Sequence, residues 1–114
     1  MNFPTKKEDT RPSITVGTTP TIVVKPKQAV DLTQAEHVYA TLRQEKVKIR
    51  KSGEDIEVDA QGVRFTLQQE DTTKLKPGYE AKLQLNWTYD DGKRGATKPI
   101  AFIVEENMEE EVLE

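Results

Sequence analysis

The chain has 114 residues and no cysteine, and its 17 lysines and arginines face 20 aspartates and glutamates for a formal charge of −3. That length suits a single domain that buries a core without metals or disulfides, and without cysteine there is no thiol nucleophile, zinc–thiolate site or disulfide framework. Residues 105–114, EENMEEEVLE, hold six acids and no base, so the other 104 residues carry all 17 bases against 14 acids, too small an excess for the footprint of a nucleic-acid binder.

Residues 1–12 mix charges with Pro4 and Pro12 and are expected to form a flexible leader. They hold no apolar stretch of the kind a secretory signal needs, and no apolar run approaches membrane-spanning length, so a cytoplasmic site of synthesis and no membrane partner are expected. Ile14 and Val16 then alternate up to Gly17, and TIVV at 21–24 forms a short strand bounded by Pro20 and Pro26, which favours a sheet edge or a strand start. Asp31 to Ala35 suits one helical turn capped by Asp31. From His37 the alternation is regular: Val38, Ala40 and Leu42 take one face, and after a tight connection near Gln44 and Glu45, Val47 and Ile49 do the same, which reads as a hairpin. Gly53 marks the next turn, Ile56 and Val58 a short strand, Ala60–Gly62 another turn, and Val63, Phe65 and Leu67 the inward side of the strand that follows. Glu70 to Lys74 suits one or two helical turns before Lys76-Pro77-Gly78 redirects the chain.

The stretch from Tyr79 to Tyr89 alternates throughout. Tyr79, Ala81, Leu83, Leu85, Trp87 and Tyr89 share one parity, so a long half-buried strand is expected with Trp87 in the core. Asp91-Gly92 predicts a two-residue hairpin loop of the primed type, and Thr97 to Val104 returns as a strand with Ile100, Phe102 and Val104 inward. The acidic residues 105–114 read as a solvated terminus or the start of a helix, with Met108, Val112 and Leu113 as a short apolar stripe.

No catalytic motif emerges. His37 is the sole histidine, so a histidine-rich zinc site is excluded, and neither Ser13 nor Ser52 sits in a nucleophile-elbow context that would make a triad with it. Asp90 and Asp91 lack the dense acidic loop of a calcium site, and turn chemistry accounts for Asp91. No phosphate-cradling glycine run occurs, and the sequon at Asn86 lacks a secretory context. No catalytic, metal or cofactor residue is therefore named, and no cofactor is expected. Among the aromatics, Trp87, Tyr79, Phe65 and Phe102 lie on apolar parities, while Tyr39 faces outward and suits a protein interface or, more weakly, a sugar platform. Tyr39 and the neighbouring Lys46, Lys48 and Arg50 are the candidate interface residues.

The order of these segments resembles a group of small proteins from tailed phages and prophages, and is similar to the immunoglobulin-like N-terminal domain of some baseplate upper proteins. The resemblance covers about residues 13 to 104. It rests on Gly17-Thr18-Thr19-Pro20, Asp31-Leu32 ahead of the Val38 strand, Leu67-Gln68-Gln69-Glu70 leaving a strand, and Lys76-Pro77-Gly78 before the Trp87 strand. It implies an all-β, immunoglobulin-like sandwich that helps to build a virion or host-contact apparatus by protein association. Together with the patterning, it predicts seven to nine short antiparallel strands over 13–104, with Ile22, Val38, Leu42, Phe65, Leu67, Leu83, Leu85, Trp87, Ile100 and Phe102 in the core. The expected function is a non-enzymatic structural or interaction module of a phage or prophage tail. It would be made in the host bacterial cytoplasm, be incorporated into a virion, and bind another copy or another tail component rather than nucleic acid. A carbohydrate-binding module and a domain of a bacterial surface protein are the alternatives.

Overall fold

The computed structural model describes residues 11–26 and 31–109; most of the expected leader, and residues 110–114 of the acidic segment with Val112 and Leu113, lie outside the described residues. Nine strands occur among the described residues: β1 (Ser13–Thr15), β2 (Thr21–Val24), β3 (His37–Gln44), β4 (Val47–Ser52), β5 (Ile56–Asp59), β6 (Gly62–Thr66), β7 (Glu80–Thr88), β8 (Arg94–Ala96) and β9 (Ile100–Glu105). One sheet runs β1-β9-β7-β3-β4, with β8 also paired to β7, and the second runs β2-β6-β5. The two pack face to face as an immunoglobulin-like β-sandwich, in which β9, β7, β3 and β4 take the places of the G, F, C and C′ strands and β2, β6 and β5 those of B, E and D.

Alternation decides the faces. In β3 and β7 the inward residues meet as the pairs Val38–Trp87, Ala40–Leu85 and Leu42–Leu83, and all six are buried. In the second sheet Ile22 and Ile56 flank Phe65, and Val24 and Val58 flank Val63. Burying each large side chain contributes about 1.5–3 kcal/mol, so these pairs dominate the stability of the fold. Of the expected core only Ile100 is partly exposed; it packs against the buried cluster. Gln44 continues the inward parity of β3, and it is buried although polar. Its Oε1 accepts from the Lys76 N–H (2.7 Å), and its Nε2 donates to the carbonyls of Lys76 (2.9 Å) and Tyr79 (3.1 Å), pinning the segment that feeds β7.

The short helical turns sit where the chain crosses between sheets. A 3-10 turn at Leu32–Gln34 leads into β3, and Asp31 caps it by accepting from the Thr33 N–H at 3.0 Å. A second, Gly53–Asp55, carries the chain from β4 to β5. The single turn of α1 (Gln69–Thr72) joins β6 to β7; Gln68 and Asp71 form its capping box. Thr72 is fully buried there: its hydroxyl donates to the Thr18 carbonyl (2.8 Å) and accepts from the Gly17 N–H (3.0 Å), tying this crossing to the one between β1 and β2.

Four expectations are corrected. Pairing is not wholly antiparallel: β1 lies parallel to β9, with Ile14 opposite Val104. These strands are remote in sequence, so no hairpin forces them antiparallel. The returning strand is not continuous from Thr97, because Asn86 pairs with Ala96 while Leu83 pairs with Ile100. Three steps along β7 thus oppose four on the return, a bulge at Thr97–Pro99 that exchanges backbone and side-chain bonds with Leu85 and Gln84. The bulge reverses parity, so that Gly95 faces inward as well as Phe102. An added Cβ on Gly95 would lie 2.4 Å from the indole of Trp87, so the ring occupies the space a side chain would need.

The Asp91-Gly92 loop is not a primed two-residue turn. Gly92 N–H donates to the Tyr89 carbonyl (3.0 Å) and Tyr89 N–H to the Lys93 carbonyl (2.8 Å), which closes a three-residue loop with only Gly92 at positive φ (+86°). The connection with a positive φ at a non-glycine residue is instead Glu45-Lys46, where Glu45 has φ +50°. Finally, Tyr79 is 57 % exposed. It lies in the turn before β7 begins, outside the ladder that enforces alternation.

Candidate interaction face

Trp87 is only 5 % exposed, which leaves the outer surface of the six-stranded sheet to be described by the residues of opposite parity. They line up in rows across the strands. Arg43 of β3 stands directly opposite Lys48 of β4 on one side and Lys82 of β7 on the other, so Lys48, Arg43 and Lys82 form a row of three exposed cations. The next row is Arg50, Thr41, Gln84, and the one beyond is Ser52, Tyr39, Asn86. Directly opposed side chains sit about 5 Å apart, and like charges at that spacing oppose folding by up to about 1 kcal/mol a pair.

Acids do little to offset this row. Lys82 Nζ is 3.9 Å from Glu80, a carboxylate that Arg11 already holds at 2.9 Å. Glu45, at the tip of the hairpin, pairs with Lys76 at 3.6 Å. Arg43, Lys46, Lys48 and Arg50 have no carboxylate in ion-pair range among the described residues. Beside the row an open depression of about 590 Å³ is lined by Thr41, Arg43, Lys82, Gln84 and Pro99 together with the held acids.

Of the four sequence-predicted residues, the fold brings two into contact: the Arg50 guanidinium lies 4.4 Å from the ring centroid of half-buried Tyr39. His37 stacks on the same tyrosine at 6.1 Å and 29°. Lys48 shares their face, and Lys46 stands at the turn leading onto it. Sequence reasoning missed Arg43 and Lys82, although both lie on the outward parity of strands it had identified.

Lys51 differs from its neighbours on β4. It has inward parity, and its ammonium reaches Asp71 at 2.8 Å, across from β4 to α1. Burial pushes the Asp71 carboxyl up, but the Lys51 hydrogen bond, the Gln68 N–H and the charges of Lys51 and Lys74 together outweigh it and hold the group below its ordinary value of 3.8. This pair fastens a crossing to the sheet.

Of the residues weighed for chemistry, His37 and Ser52 line the same open depression of about 450 Å³, beside Glu36 and Tyr39, without forming a hydrogen-bonded relay. No hydrogen bond joins His37 to Ser13 or Ser52; besides stacking on Tyr39, its ring lies 3.8 Å from the Glu36 carboxylate. Asp91 accepts from the Lys93 N–H at 3.0 Å, as a turn residue does. Among the described residues no group of three histidines or acids is placed to hold a metal ion, and no helix is long and apolar enough to cross a membrane. Comparison with family models, with curated proteins and with solved structures found no match.

Proposed function

We propose that the chain is a non-enzymatic structural and protein-association module, of the kind that builds a phage or prophage tail or baseplate. The observation that carries this reading is the outer face of the six-stranded sheet, where a row of opposed cations borders a tyrosine–arginine pair. Like charges held directly opposite one another work against the fold, and a surface that retains them is explained by a partner that neutralises them. Placement in a tail rests on the ordered resemblance of segments 13–104 and is tested by gene order and by particle fractionation. Neighbouring tail and baseplate genes and co-purification with assembling or mature virions are expected. Absence from both kinds of particle overturns the tail assignment.

The carbohydrate reading rests on Tyr39 alone, and Arg50 covers a ring face on which a sugar would stack. Secretion and cell-wall signals in a longer parent chain would favour the bacterial surface protein instead.

A further inference from the structure

We infer that the row Lys48, Arg43, Lys82, flanked by Lys46 and Arg50, docks residues 108–114, the far end of the acidic segment, of a second copy of this chain and so joins copies head to tail. The inference rests on the reading of the chain as an association module, but not on where the assembly is used.

Charge complementarity selects the occupant. Among the described residues Arg43, Lys46, Lys48 and Arg50 have no carboxylate in ion-pair range and Lys82 has only the shared Glu80, whereas the segment EENMEEEVLE carries six acids and no base. Along β4 the outward cations Lys48 and Arg50 are two residues apart, about 7 Å in an extended strand, a spacing that an extended acidic segment such as Glu109 to Glu111 reproduces. The far edge of β4 adds a second means of attachment, because among the described residues β4 pairs only with β3 and ends the sheet. The lysines that protect this edge from indiscriminate pairing also make it selective for an acidic strand.

Geometry favours a second copy over the same one. The segment is led away from the row: Val16 N–H donates to the Glu105 carbonyl (3.1 Å) and Asn107 Nδ2 donates to the Val16 carbonyl (3.0 Å), holding its first residues over β1, at the opposite edge of the sheet from β4. Met108, next along the chain, is 99 % exposed. The first residues of the donor segment and the β4 end of the row therefore lie at opposite edges of the sheet, and a contact between different patches on two copies propagates to a chain or closes to a ring.

Sedimentation of the full chain tests this. The mean mass should rise with protein concentration at about 10 mM salt and return to that of one chain at about 1 M, where the screening length falls from about 30 Å to about 3 Å. Arg43→Gln with Lys48→Gln should abolish association while raising the unfolding midpoint, since it relieves a like-charge pair. Glu109→Gln with Glu110→Gln, Glu111→Gln and Glu114→Gln should abolish association through the other partner. An equimolar mixture of the two variants retains one intact row and one intact segment, and should form two-chain species and nothing larger. The free peptide EENMEEEVLE should dissociate the wild type. A single-chain mass for the wild type at every salt, association that survives either set of changes, or a mixture that stays monomeric would overturn the proposal. So would a single-stranded oligonucleotide that binds the row while the peptide does not. None of these results depends on particle fractionation, so the two readings fail separately.

Discussion

Replacing Gln44 by leucine keeps its volume and removes its polarity. The native side chain is 3 % exposed and makes three hydrogen bonds to the backbone of residues 76 and 79. At about 1 kcal/mol net per bond, their loss removes about 3 kcal/mol, and each backbone group left buried without a partner adds to that. Leucine recovers part of the deficit as an apolar core residue, so a net loss of about 2–3 kcal/mol is expected, a large fraction of a small domain's stability. Urea unfolding followed by the fluorescence of buried Trp87 measures it as a lower midpoint at unchanged slope. Gln44→Glu should be worse still at neutral pH, because it places a charged acceptor against two carbonyls; it should recover as acid restores a donor. A midpoint for Gln44→Leu within about 0.5 kcal/mol of wild type, the range of ordinary surface changes, would refute the reasoning and show that the 76–79 segment is held by other contacts.

Trp87→Ala should lower stability by about 3–5 kcal/mol through lost burial and a residual cavity. Gly95→Ala should also destabilise by driving a methyl group into the indole, and should do far less harm in the Trp87→Ala background; additive losses in the double variant would reject that contact. Gly92→Val should reduce thermal stability much more than Asp91→Asn, since only Gly92 has positive φ and asparagine keeps a side-chain oxygen for the Lys93 N–H; equal melting shifts would contradict the loop geometry. The depressed Asp71 carboxyl stabilises the fold fully above its unfolded value of 3.8, and that contribution disappears as the pH falls through it towards the lower folded value. Asp71→Asn should therefore be less stable at neutral pH and lose less on acidification between about pH 5 and pH 2 than wild type, so parallel curves of urea midpoint against pH would be inconsistent with the Lys51 pair.

Period-two patterning determined which residues enter the core, because a strand fixes the facing of each side chain locally, whatever it later pairs with. It therefore placed Phe65, Leu83, Leu85 and Trp87 correctly, and turn chemistry located the helical turn behind the Asp31 cap and, one to two residues late at Glu70–Lys74, the turn at Gln69–Thr72. The same signal marked Tyr39, Lys48 and Arg50 as outward. Facing alone does not say what lies opposite. That Lys48, Arg43 and Lys82 form one row follows from a register that aligns residues far apart in the chain, and a one-residue slip would disperse it. Gln44 and Lys51 read as ordinary polar residues until the folded chain brings the Lys76–Tyr79 backbone to the one and Asp71 to the other. The parallel placement of β1 and the parity reversal at Thr97–Pro99 likewise depend on neighbours that only the packed sandwich supplies. Local sequence encodes direction, and long-range pairing energy selects the partner.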